Sequence, residues 1–392
     1  MGSPSGQYSK LWLCKEAETS PGVFPSAFAT SNLIGLKLYQ ETFQSRPRKT
    51  PIRYQENRGG VSFDHADFVP GPQDVPSTLR FALRYSGVHA VMLGHALGSL
   101  TTTSLGGTPN AIWRHRADTS SGRYNSLSFL YHRPINDAGT LFSETRVIGA
   151  KVGRMRLSQS VGQPFVMCEM DLACQEARIE TAVTALGNLP SESTVGIYPS
   201  EALWQMQHFK DYATNRFFEF RRRNGSVVAL NLEEWTLELN NFPSQLGILS
   251  PANRLSNAAR GQIREVTGSF VIEQDSSLDD IEAAYGLTAS SAAEDFYLKW
   301  RFEDPASPQN SGDPTHDAEV IVSQCYVSSP ERGGEGTGPQ RRRYEFAAHA
   351  KGPLASWNTD YPLQIDIANN TQKPTGAAPT NYGTYVTGAG GF

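Results

Sequence analysis

Along residues 147–175, VIGAKVGRMRLSQSVGQPFVMCEMDLACQ, apolar and polar positions alternate in a pattern that predicts two consecutive β-strands. In the second, Phe165, Met167, Glu169 and Asp171 fall on one face and Val166, Cys168, Met170 and Leu172 on the other. A counterpart occurs at 228–273, where VALNLEEWTLELNNF is followed, after a longer loop, by IREVTGSFVIE. Trp235, Leu237 and Leu239 share a face there, while Val266, Ser269, Val271 and Glu273 lie in a strand that Gly268 is expected to break. The repetition speaks for architecture before it speaks for chemistry.

The same alternation predicts further elements. In STLRFALRYSG, Leu79, Phe81, Leu83 and Tyr85 stand opposite Arg80 and Arg84, a strand pattern. The period then changes: Val88, Val91, Met92, Ala96 and Leu97 approximate one helical face, with Gly98 as its cap. Strands are predicted at 34–39, in LSFLYHR, in AAEDFYLKWRF, in AEVIVSQCYVSS and in PLQIDIAN, and YEFAAHAKG reads as an outer strand. A turn at Asn224 and Gly225 joins NRFFEFRRR to SVVALNL as a hairpin. LDDIEAAYG predicts a short helix, and QSRPRKTPIRYQENRGG an exposed loop or extended arm.

Hydrophobic residues make up 39% of the chain, and 35 glycines with 24 prolines supply turn chemistry for many short strands. A length of 392 residues favours more than one domain. The Pro-, Gly- and Ser-containing stretch 185–203 reads as a connector. This divides the chain into an N-terminal arm with first strands (1–60), a first domain (61–190), a second (191–370) and a Gly/Thr-rich tail (371–392).

A net charge of -4 argues against a general nucleic-acid-binding surface, leaving only local or transient contact. Cys14, Cys168, Cys174 and Cys325 are too scattered for a disulfide framework or a compact zinc site, so buried thiols are expected. Neither a cleaved signal nor a membrane span is expected from the sequence.

No enzyme motif emerges. The histidines form no metal motif, FDHAD reads as a turn, and His316, Asp317 and His349 lack a nucleophile elbow. Glu169 with Asp171, or Glu233 and Glu234 with Glu238, supply paired carboxylates for acid–base work, yet a partly solvated sheet or assembly surface explains them more cheaply. No phosphate-binding loop is present, and neither cofactor nor metal is expected. Two arginine triplets, Arg221, Arg222, Arg223 and Arg341, Arg342, Arg343, read as like-charge protection of sheet edges, as subunit contacts, or as phosphate attractors.

Taken in order, LWLCKEAETSPGVFP, LYQETFQSRPRKTPIRYQENRGG, STLRFALRYSGVHAVMLGHALG, VIGAKVGRMRLSQSVGQPFVMCEMDL, NLEEWTLELNNF and REVTGSFVIE resemble the tail tube proteins of long-tailed bacteriophages, in the family with two tandem tube domains. The resemblance spans much of residues 10–370. It implies a mainly β fold: two tandem tail-tube-like β-sandwich or barrel domains, each with a short flanking helix, plus extended arms and loops. It implies a non-enzymatic virion protein whose trimers form pseudo-hexameric rings, stacked into the tail tube through which genomic DNA passes.

Its implied partners are other copies of itself, a tape-measure protein, a tail terminator and distal tail or baseplate proteins, with transient, non-specific contact to DNA. Its implied location is the virion tail, and the host cytoplasm during assembly. On that reading Glu169, Asp171, Glu233 and Glu238 are expected to face the lumen. Arg46, Arg48, Arg53 and the two triplets are expected at subunit contacts, with 34–60 and 328–343 between rings. The alternative is a β-sandwich glycan-binding adhesion or tail-decoration module using Trp113, Trp300 and Trp357 as sugar platforms.

Overall fold

The computed structural model describes residues 10–15, 33–36, 43–45, 48–53, 68–85, 87–106, 112–120, 126–136, 141–184, 204, 218–223, 225, 227–229, 232–245, 259–273, 281–282, 284–286, 294–303, 317–331, 341–348 and 361–369. The fold is mainly β. Strands β1 (Lys10–Lys15), β2 (Leu33–Leu36), β3 (Phe43–Ser45), β4 (Arg48–Arg53) and β5 (Phe68–Ala82) precede helix α1 (Gly87–Leu97). There follow β6 (Ser99–Gly106), β7 (Ile112–Asp118), β8 (Leu127–Pro134), β9 (Leu141–Ser160), β10 (Gln163–Cys174) and β11 (Glu176–Thr184). Next come β12 (Phe218–Arg222), β13 (Val227–Ala229), β14 (Leu232–Asn240), β15 (Pro243–Ser244), β16 (Ala259–Arg260) and β17 (Glu265–Glu273). Strands β18 (Phe296–Glu303), β19 (Asp317–Glu331), β20 (Arg341–Ala348) and β21 (Leu363–Asn369) complete the described set.

The 20-residue strand β9 is the hub. Its first half pairs with β8 and β11, and β8 continues through β1 to β2. Its second half pairs with β10 on one side and β14 on the other. The change of partners falls at Gly149, whose φ of 64° suits glycine. Gln175, whose N–H donates to the Ile148 carbonyl at 3.0 Å, places its side chain where a Gly149 β-carbon would stand. One strand thereby serves two sets of partners, β8 and β11 along its first half and β10 and β14 along its second.

From β9 the central sheet runs outward as β9–β10–β5 in one direction and β9–β14–β17–β20–β19 in the other, antiparallel throughout. A third run, β6–β7–β21–β19–β18–β12–β13, branches from β19. The direct pairing of β9 with β14 joins strands expected in separate domains. The expected boundary at 190 and the tail 371–392 lie outside the described residues.

Alternation explains the core. Leu79, Phe81, Cys168, Met170, Met155, Leu157, Trp235, Leu237, Leu239 and Phe270 are at most 0% exposed, all on one side of the central sheet. A buried side chain of this size contributes about 1.5–3 kcal/mol. Trp235 and Trp300 approach to 4.9 Å between ring centroids, and Phe302 stacks on Trp204 at 5.2 Å. The Trp204 backbone also bridges strand ends, its N–H donating to Leu83 O and its carbonyl accepting from Val166 N, both at 3.0 Å.

Several sequence expectations change. The helix at 87–97 forms and Gly98 ends it with φ 99°, but α1 is buried on every side, not on one face. It packs against β7, β9, β21, β6 and β2. Much of the supposed arm is strand, because β3 and β4 find donors and acceptors on β5. β20 is interior, paired with both β17 and β19, and Gly268 does not break β17. The hairpin at Gly225 is present, with φ 88°, and residues 281, 282 and 284 are helical.

Candidate functional site

Opposite its apolar side, the central sheet presents polar rows set by register. One row reads Arg80, Glu169, Arg156, Glu238 and Thr267 across β5, β10, β9, β14 and β17. The next reads Thr78, Asp171, Arg154, Asn240 and Glu265. A third carries Ser158, Thr236, Ser269 and Glu345, and a fourth Ser160, Glu234, Val271 and Arg343. Charges of opposite sign stand side by side in the first row, the favourable arrangement for cross-strand pairs.

Arg154 reaches Asp171 at 3.1 Å and Glu169 at 3.7 Å, with all three side chains near 40% exposed. Arg343 crosses β17 to Glu234 at 3.6 Å. Thr236 and Ser269 hydroxyls share a bond of 3.0 Å. These exposed pairs are screened by water and add little stability. Their consequence is a face on which carboxylates outnumber arginines and each central arginine has acidic neighbours on adjoining strands.

Three expected residues, Glu169, Asp171 and Glu238, share this face. Glu233 does not join a row: it is the extra residue of an irregularity in β14, while Glu234, two residues from Thr236 and four from Glu238, stands opposite Ser160 and Val271. Arg154, Arg156 and Glu265 were missed, although Arg154 and Arg156 flank the core residue Met155 and Glu265 stands beside Val266 and two residues from Thr267, which carried the signal.

The arginine triplets divide. Arg222 pairs with Glu294 at 2.6 Å, Arg342 with Glu282, and Arg343 joins the polar face. Arg221 is half-buried and Arg223 exposed, while Arg341 is placed by backbone pairing with Glu273. Since β12 and β20 each have strands on both sides, like-charge protection of free edges is not their role. Arg48 and Arg53 pair through β4 with Asp74 and Phe68; Arg46 lies outside the described residues. Trp300 is fully buried and offers no sugar platform, Trp113 is half-buried, and Trp357 lies outside the described residues.

The described histidines are built into the structure. His89 Nδ1 accepts the Arg84 N–H at 2.9 Å, and burial pushes its pKa down to about 3, keeping the ring neutral. His132 Nε2 meets Glu144 at 2.7 Å, with the ring between Trp12 and Phe142. His115 lies between the Thr102 hydroxyl at 3.0 Å and Asn369 Oδ1 at 3.3 Å, with the Asn369 amide also donating to Tyr85 O. Cys168, Cys174 and Cys325 are buried, and burial raises the thiol pKa of Cys168 and Cys325 far above the ordinary range.

FDHAD, His316 and His349 lie outside the described residues. Among the described residues no group of His, Cys, Asp and Glu is arranged to hold a metal ion, and no helix is long and apolar enough to cross a membrane.

The described chain is thus a mainly β, antiparallel protein whose central sheet is apolar on one side and charge-alternating on the other. Compared with protein families it matches no family model, and none of the curated proteins matches its sequence.

Proposed function

We propose that this chain is a structural virion protein, a tail tube subunit of a long-tailed bacteriophage, whose trimers form pseudo-hexameric rings stacked into the conduit for genomic DNA. The observation that carries the reading is the order β10–β9–β14–β17. Two hairpins, one from each repeated stretch, run edge to edge with a single continuous polar face. Repeated by threefold symmetry, six such hairpins would line a closed channel, with open strand edges consumed between subunits. Glu169, Asp171, Glu234 and Glu238 would then face the lumen beside Arg154 and Arg156. A polyanion passing that surface meets no net positive charge, so phosphate capture does not oppose its movement.

The companions of such a subunit would be a tape-measure protein, a tail terminator and distal tail or baseplate proteins. Electron microscopy of the protein coexpressed with those partners tests the reading. Stacked hollow rings with three chains per layer are expected; chains that stay monomeric in their presence overturn it.

A further inference from the structure

Strand β7, from the N-terminal part of the chain, lies beside β21, which pairs with β19, which pairs with β18. This junction carries charge. Arg116 holds Asp366 in a fork, Nε to Oδ1 at 3.0 Å and Nη2 to Oδ2 at 2.9 Å, and Lys299 meets Glu319 at 2.7 Å. Asp317 has no comparable partner. Its side chain is 9% exposed, its nearest cations are Arg114 at 3.8 Å and Arg301 at 4.0 Å, and its Oδ1 is buried without a hydrogen bond.

Arg301 is also shared, lying 3.2 Å from Glu303 and 3.9 Å from Glu319. Glu303 stands directly opposite Asp317 in register, and like charges so placed destabilise a strand pair. The charged groups around Asp317 on the described strands are Arg114 on β7, Arg301 and Glu303 on β18, Glu319 on β19 and Asp366 on β21.

We propose that Asp317 makes this junction a proton-operated clasp, which holds β7, β21, β19 and β18 together more tightly when its carboxyl is protonated than when it is ionised. Protonation removes repulsion from the neighbouring carboxylates and leaves Arg301 to Glu303 and Glu319. Burial is the largest cause of the raised pKa, about 6 against 3.8; Arg114 and Arg301 oppose it, while Glu319 and Asp366 reinforce it. A carboxyl shifted upward favours the folded, protonated form. Its stabilisation is complete below the unfolded pKa and is lost as pH rises through about 6, so the clasp tightens on acidification.

Hydrogen exchange of the β7 and β21 amides in the full-length protein, wild type against Asp317→Asn, tests the proposal. Asparagine stays neutral, and taking the ratio of wild-type to variant opening cancels the intrinsic pH dependence of exchange. The ratio is expected to rise roughly 25-fold between about pH 4.5 and about pH 7.5. A flat ratio overturns the proposal. Should Asp317→Asn not fold, Glu319→Gln gives an independent reading: the pH window of opening is expected to move downward, and an unmoved window likewise overturns it.

Discussion

Phe346 on β20 lies opposite Gly268 on β17, and its Cζ stands 2.5 Å from where a β-carbon on Gly268 would be. The Thr236 carbonyl oxygen closes the same space from β14. Glycine is therefore required here by close packing, with the aromatic ring covering the gap in the strand. Gly268→Ala is expected to lower stability by about 1–3 kcal/mol through overpacking. A lower denaturant midpoint at unchanged slope would register it.

Asn241 is fully buried and donates from Nδ2 to Ala96 O at 3.0 Å and to Val152 O at 2.9 Å. It thus ties the last turn of α1 to the hub strand β9. Asn241→Leu leaves both carbonyls short of a donor and is expected to cost about 1–3 kcal/mol. Thermal unfolding of the two proteins compares them directly; equal midpoints would remove this tie from the account.

Glu144 is completely buried between β8 and β9 partners. Burial alone pushes its carboxyl up, but hydrogen bonds from His132 and Arg146 more than offset this and hold it below the usual value of 4.5. A lowered carboxyl pKa contributes stability above the unfolded value, lost as pH falls through the folded one. Breaking a buried ion pair from one side costs about 3–5 kcal/mol. Glu144→Gln is therefore expected to be less stable than wild type near neutrality, with the gap narrowing below about pH 4.5. Melting curves across that range check the sign.

On the polar face, Arg156 stands between Glu169 and Glu238 in register. Replacing both carboxylates by glutamine leaves Arg156 open to phosphate, while Arg154 keeps Asp171 at 3.1 Å. The double variant is expected to retain DNA more strongly than wild type, with log affinity falling against log salt by about 0.9 per phosphate neutralised. Adding Arg156→Gln should reverse much of the gain. Filter binding at several salt concentrations distinguishes these outcomes.

Within single strands the sequence was a good guide. Leu79, Phe81, Leu83 and Tyr85 are buried as their alternation predicts, as are Val166, Cys168, Met170 and Leu172, and Trp235, Leu237 and Leu239. The helix, the Gly98 cap and the Gly225 turn were legible because each is set by neighbours within a few residues. The burial of α1 on every side was not, since His89, Gly94 and His95 gain their surroundings from distant strands.

Sequence by itself determined which side chains share a face along each strand, because the pleat has a period of two. Only the tertiary structure decided which faces meet. Trp235 donates to Gln159 across 76 positions at 3.0 Å, and the pairing of β9 with β14 brings Arg156 beside Glu238. It also decided that Leu232 turns to the core: Glu233 is the extra residue of an irregularity in β14, so Leu232 stands opposite Ile272 and is buried although its parity is that of Glu234 and Glu238. Cross-strand register depends on contacts between remote segments, and a shift of one residue exchanges the two faces.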